Sequence, residues 1–456
     1  MKNYSINLKE ENIYKLFIKI AIPSSIGTIF QNLYSIVDSI FAGRMISKDA
    51  LAAIGQIFPI YFIIIALGVG ISIGTTALIA NSIGQNDKSR AGKILSQSII
   101  LSIIISIIVT IFGLTSSSNI IYSMNDDLII LNLSLKYIKI IFLGSVFIFI
   151  LMSLNSALSA QGDTKSYRNV LILSFILNII LNPIMISGKI FEYQLFIPLG
   201  ISGIAIATIL SNFIGIFYLF YKLSKTDIYK YTNITFFPKI EIIIRILKQG
   251  IPASIGMMMI AVGSYILIFF VSLFGSDAVA GYTSAGRYEQ LFFLPILGLS
   301  TAVISIVGQN YGAKQFERII ETYKKGLILG ISILTFFGIF IYLTADVSMN
   351  LFTEDDEVKY YGSTYLKITA LMFPAFPFFF IGNATFQGLQ KAIIVMYMAI
   401  LRFVIMPIIV VYYIIYQIDQ NYHYMFYGLV FMHWSIAIFY YLFSQIKFKK
   451  MININY

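Results

Sequence analysis

The sequence predicts an all-α polytopic membrane protein, with twelve transmembrane helices in two six-helix lobes that repeat one another. Three observations carry this reading. Of the 456 residues, 58% are hydrophobic and only 12% charged, against about 45–50% and about 25% in ordinary soluble domains, and mean hydropathy is +0.84. The apolar residues fall in long unbroken runs. Short motifs of the first half recur in the second at nearly constant spacing. No soluble core could enclose so much Ile, Leu, Phe and Tyr, so the excess faces hydrocarbon. A soluble enzyme, a disordered chain and a secreted disulfide scaffold are therefore excluded, and a chain without Cys has no thiolate chemistry. The net charge of +11 does not point to nucleic acid, because the basic residues lie between apolar segments rather than on a soluble face.

The first six apolar segments are 20–42, 51–79, 94–114, 131–158, 170–186 and 197–219, and the second six are 251–273, 279–307, 327–343, 366–386, 392–415 and 425–443. A span of about 30 Å of hydrocarbon needs about 20 residues. Continuous rather than alternating apolar runs favour helices over barrel strands. The first segment is too long for a signal peptide and lacks a small-residue cleavage pattern, so no cleaved leader is expected. With the amino terminus on the cytoplasmic side, 23 Lys and Arg fall in cytoplasmic segments, Lys2 among them, and 4 (Arg44, Lys48, Lys189, Lys359) outside. The positive-inside rule then places both termini in the cytoplasm.

The repeat is visible residue by residue. Ile22-Pro23-Ser24-Ser25-Ile26-Gly27 is answered by Ile251-Pro252-Ala253-Ser254-Ile255-Gly256, and Asp49-Ala50-Leu51-Ala52 by Asp277-Ala278-Val279-Ala280. An even number of segments separates the copies, so both halves share one orientation, as in transporters built from parallel repeats. Duplicated bundles also form channels. The expected organisation is a lobe over 1–220, a basic cytoplasmic linker over 221–249, and a second lobe over 250–456.

Ionisable residues inside spans are costly and mark function by default. Asp38 stands in the first segment with Tyr34 four and Gln31 seven residues before it, a polar stripe on one helix face. Desolvation, hydrogen bonds and a bound cation together set the charge of such a carboxyl. Asp38 thus reads as a proton carrier or Na⁺ ligand, or else as a cap or snorkelling side chain near the helix end. Asn178 and Asn182, one turn apart in segment five, and Thr208 in segment six serve either packing or a site, and matter if they meet Asp38. Arg287 and Glu289, two apart in segment eight, point apart and need separate partners; they form a possible polar site in the second lobe or lie at the outer interface. Lys136 and Lys139 snorkel, His423 falls in an outer loop, and His433 is a packed neutral imidazole or a proton relay.

Gly70 and Gly74 read as a small-xxx-small helix contact rather than a dinucleotide fingerprint. No phosphate-cradling loop, metal-ligand cluster or nucleophile–base motif is apparent. The chain is thus read as a non-enzyme without cofactors, and an ion gradient is the remaining energy source.

At this point the residues resemble the multidrug and toxic compound extrusion (MATE) family over nearly the whole chain. The likeness rests on Val37-Asp38-Ser39-Ile40-Phe41-Ala42-Gly43-Arg44, Ala50-Leu51-Ala52-Ala53, Gln161-Gly162-Asp163-Thr164-Lys165, Gly308-Gln309-Asn310-Tyr311-Gly312-Ala313 and the six-plus-six repeat. It implies a monomeric antiporter of the bacterial inner membrane that exchanges H⁺ or Na⁺ for organic, often lipophilic cationic compounds. By that resemblance Asp38 is the acid of the first helix, with Gln31, Tyr34, Asn155, Asn178 and Thr208 as its polar surroundings. Many members carry an acid before the proline at 183, where this chain has Asn182, so Asp38 alone would hold the cation in that lobe. Acids that some relatives use in the seventh and tenth helices are absent, leaving Glu289 as the second lobe's candidate. A lipid-linked oligosaccharide flippase is the alternative, although it would favour a basic cavity, and only Arg287 and Arg402 lie deep in the spans.

Overall fold

The computed structural model describes residues 6–124, 127–190, 192–232 and 237–453; Lys2 lies outside them. Among the described residues, twelve helical spans are long and apolar enough to cross a membrane. We label them α1 (Ile13–Ile46), α2 (Lys48–Gly84), α3 (Lys88–Tyr122), α4 (Leu128–Ala160), α5 (Lys165–Ser187) and α6 (Ile201–Ser224). The second six are α7 (Ile240–Phe274), α8 (Ser276–Gly312), α9 (Phe316–Met349), α10 (Asp356–Gly388), α11 (Ala392–Ile418) and α12 (Tyr422–Met451). A two-stranded hairpin, β1 (Lys189–Ile190) with β2 (Tyr193–Gln194), joins α5 to α6.

The helix ends follow from local chemistry. Ser47 caps α2 by accepting from the Ala50 amide at 3.1 Å, and Asp87 caps α3 by accepting from the Arg90 amide at 2.8 Å. At the other ends, Asn86, Gly162, Lys314 and Gln390 take positive φ. In each case the next amide bonds back five residues: Asp87 to Ser82, Asp163 to Leu158, Gln315 to Asn310 and Lys391 to Phe386. Residues 86 and 314, and 162 and 390, stand 228 apart, so the sequence repeat is also a repeat of backbone geometry. The spans run past the apolar segments at several ends. The tenth begins at Asp356 rather than near 366, and His423 lies in the first turn of α12 instead of a loop. Spans α8 and α10 are not uniform; each passes through a 3-10 stretch, Leu291–Phe293 and Ala370–Ala375. Pro295 and Pro374 stand beside and within these stretches, where they remove helical donors.

The described residues divide into two compact units, one within 26–254, the other of residues 6–25 and 255–453. These bounds differ from the division at 220 and 250 expected from the repeat. The start of α1 belongs to the second unit, and the stretch before residue 255, including the beginning of α7, to the first. Close packing explains both assignments. A Cβ on Gly70 would lie 1.9 Å from Ser254 Oγ and 2.5 Å from the Gly250 carbonyl, and one on Gly74 2.7 Å from the Ile246 carbonyl. The repeat-related Gly298 stands in the same relation to Ser25 Oγ, at 2.1 Å, and to the Ala21 carbonyl, at 2.5 Å. These glycines let backbones touch where lipid supplies no hydrophobic drive.

In the first unit α4 packs against α2, α3 and α6, and in the second α10 packs against α8, α9 and α12. Apolar side chains turn outward: α3 exposes Ile107, Ile108, Ile111 and Phe112. Its serines turn in, with Ser98 and Ser102 each 2.7 Å from Ser153 Oγ of α4.

Candidate functional site

The site in the first unit is built on α1. Asp38 stands near the end of that helix, just before the π-turn Ala42–Ile46, and is 5% exposed. It neither caps a helix nor snorkels. On α5, Asn178 and Asn182 occupy one face because they are four apart, and both are fully buried. Each donates its Nδ2 to Asp38 Oδ1, at 2.8 and 2.9 Å, and Asn182 Nδ2 also reaches Asn178 Oδ1 at 3.0 Å. Thr208 of α6 stands beside the same carboxyl, with its hydroxyl donating to the Ile204 carbonyl at 3.1 Å. Pro183 follows Asn182 and frees helical bonding at that turn.

The arrangement leaves a deficit of positive charge. Among the described residues no Lys, Arg or His forms an ion pair with Asp38. Two oxygens near it, Asn182 Oδ1 and Tyr34 Oη, are sealed from solvent without a geometrically formed hydrogen bond, although the Thr208 hydroxyl stands next to Tyr34. A bare carboxylate in such surroundings is expensive unless neutralised. A proton neutralises it, and a hard cation, which takes oxygen ligands, would find Asp38, Asn182 Oδ1 and Tyr34 Oη within one cluster. Site chemistry therefore favours reversible uptake of a small cation. No group of three or more metal-binding side chains occurs among the described residues.

Of the residues expected here, Asn155 lies apart and Gln31 makes no direct bond to the carboxyl. Asn155 is bonded within α4, accepting from Ser159 Oγ at 3.1 Å. It stands 18 residues beyond Tyr137, which does border Asp38; at 1.5 Å per residue that is about 27 Å of helix. Tyr137 on α4 and Tyr61 on α2, both of which interact with Asp38, were not among the residues expected here. Their nearest signal was a hydroxyl in an apolar run, and for Tyr137 the contrast with exposed Lys136 and Lys139 on the same helix.

Arg287 and Glu289 do not form one site. Arg287 is exposed, whereas Glu289 is buried and accepts a hydrogen bond from the Tyr365 hydroxyl of α10. Tyr282, Tyr365 and Phe426 pack edge and face around that contact. His433 places its Nδ1 2.8 Å from the Leu429 carbonyl.

Comparison with known proteins identifies the family. The MatE family model matches twice, over residues 23–184 and 252–413, so one unit of the family spans each half of the repeat. The probable multidrug resistance protein NorM of Thermotoga maritima is 28% identical over 389 residues, covering 85% of this chain and 82% of that protein. The probable multidrug resistance protein YoeA of Bacillus subtilis is 26% identical over 356 residues, 76% of this chain and 75% of its own. An outward-facing structure of a multidrug resistance MATE family transporter superposes with a TM-score of 0.89 at 28% identity, covering 99% of this chain and 100% of that one. With twelve spans, a duplicated architecture and a family match over both halves, the chain belongs to the multidrug and toxic compound extrusion (MATE) family and is a multi-pass membrane protein.

Proposed function

We propose that this protein is a cation-coupled antiporter that exports organic, often lipophilic cationic compounds across the bacterial cytoplasmic membrane, with Asp38 as the coupling group. The observation that carries the reading is the Asp38 cluster: a sealed carboxyl held by two amide donors, without a basic partner, beside two unpaired oxygens. The names of its relatives, which are multidrug resistance and export proteins, support the export of drugs. The distribution of Lys and Arg supports cytoplasmic termini.

In this mechanism H⁺ or Na⁺ enters from outside and binds Asp38. Asn178, Asn182, Tyr34 and Thr208 position it, and the loaded site favours a different arrangement of α1 and α5. Pro23 and Pro183, each inside its helix, are the points where those helices can bend. Bound drug then leaves to the outside, and cation release on the cytoplasmic side resets the site. To carry the population from 1:99 to 99:1, the cation must bind one arrangement more tightly by about 5.5 kcal/mol. A test is ethidium accumulation in cells expressing wild-type or Asp38→Asn protein at equal membrane levels. The reading requires low accumulation with wild type and accumulation as high as in empty cells with the variant. Undiminished efflux by Asp38→Asn would refute it.

A further inference from the structure

Arg402 lies deep in the second unit and takes no part in the cation site. It stands on the π-turn Leu401–Ile405 of α11. Pro407 accounts for that turn: its ring clashes with the carbonyl four residues back, at Phe403, and the helix widens just before it. The side chain is buried, 7% exposed. Its guanidinium lies over the rings of Phe379 at 4.0 Å, Phe403 at 4.7 Å and Phe376 at 4.9 Å. Ring faces attract the charge, but they accept none of the five in-plane N–H groups of the fork. Nε is sealed from solvent without a partner, and no carboxylate among the described residues pairs with this cation. The buried Glu289 is engaged by Tyr365 instead. His433 packs against the same Phe376 and Phe379 at 5.7 and 6.3 Å. Phe403 and His433 are half-buried, whereas Phe376 and Phe379 are buried.

We propose that Arg402 and its three phenylalanines form an anion-accepting subsite, which takes the carboxylate of an amphiphilic aromatic compound. The planar fork matches a carboxylate through two parallel hydrogen bonds, and the compound's apolar body lies along the rings. A charged side chain inside a span calls for a partner; here that partner comes from outside the chain. The subsite would give an aromatic carboxylate its own place to bind in the second unit. Its place in transport rests on the export reading above, but the binding does not.

The test uses the full chain in nanodiscs of phosphatidylcholine, with no ion gradient. Trp434, the only tryptophan, follows His433 in sequence and reports binding through its fluorescence. The probes are 2-naphthoate and its uncharged counterpart 2-naphthamide. Wild type should bind the carboxylate at least tenfold more tightly than the amide. Arg402→Gln should abolish that preference, and Arg402→Lys, which keeps the charge but not the fork, should retain only part of it. The binding assay needs no ion gradient, whereas the coupling test reads gradient-driven efflux, so failure of cation coupling and failure of this subsite are separable. Equal affinity of wild type for both probes, binding of neither, or an undiminished preference in Arg402→Lys and Arg402→Gln would overturn the proposal. So would complete displacement of naphthoate by phosphatidylglycerol added to the discs, which would assign the site to a lipid headgroup.

Discussion

Asn182 holds Asp38 Oδ1 with its amide nitrogen at 2.9 Å, while its own carbonyl oxygen, sealed from water, has no partner. One side chain thus steadies the carboxyl and offers an unused acceptor beside it. Replacing Asn182 by Ala removes both features. Hydrogen bonds to charged groups contribute about 1.5–3 kcal/mol, so the initial rate of ethidium efflux at subsaturating dye should fall roughly 10- to 100-fold. Membrane insertion should be unchanged, which is checked by expression and by fluorescence size-exclusion of the solubilised protein.

Tyr34→Phe separates packing from ligation. The Tyr34 hydroxyl makes no hydrogen bond, so its removal should leave the melting temperature of the ion-free protein unchanged, or raise it slightly. If that oxygen completes the cation site, the variant should lose part of the cation's stabilising effect, because a ligand that binds only the folded form raises stability in proportion to its affinity. Melting curves with and without Na⁺, at low and neutral pH, give the comparison; an identical ion-induced shift in wild type and variant would remove Tyr34 from the site.

The close-packed glycines should respond very differently from an open one. Gly70→Ala and Gly298→Ala each drive a methyl into Ser Oγ and a backbone carbonyl. Overpacking of this kind costs about 1–3 kcal/mol. Gly55 lies within α2 with nothing within 4 Å of a built Cβ, and Gly55→Ala should stabilise by about 0.5–1 kcal/mol through helix propensity. Thermal melts of the three variants in one detergent test the contrast.

Outside the spans, the Lys88 ammonium bonds Asp227 at 2.7 Å and holds its carboxyl below the ordinary carboxylate range. A group whose folded value is depressed stabilises the fold above its unfolded value, about 3.9, and that contribution fades as pH falls through the folded value. The pair is half exposed, so Asp227→Asn should cost no more than about 1 kcal/mol at pH 7. The difference from wild type should shrink below pH 4 and in high salt, as measured by chemical denaturation.

Much of this was legible in the chain itself. Composition and continuous apolar runs gave the spans, because hydrocarbon leaves the backbone no choice but helix. The repeat was written in Pro23 and Pro252 and reappeared in the left-handed turns at Asn86 and Lys314. Polar residues on single helix faces marked Asp38, Asn178, Asn182 and Thr208 one by one, whereas their meeting was implied only by the family resemblance. What failed depended on depth. Asn155 is polar and on a neighbouring helix, but no periodicity says how far along the bilayer normal it lies. Tyr61 and Tyr137 were hidden because a tyrosine in an apolar run looks the same facing lipid or a carboxyl. The assignment of 6–25 to the second unit was equally invisible, because it depends on Gly298 meeting Ser25 across 273 positions of sequence.

In the proposed mechanism Asp38 exchanges its bound cation for drug. The most direct measurement adds drug to purified protein in a weakly buffered solution and follows the cation released, by pH without Na⁺ and by ²²Na⁺ after preloading. Wild type should release H⁺ or Na⁺ in step with drug bound, and Asp38→Asn should release neither. Equal release from the two proteins would contradict the claim.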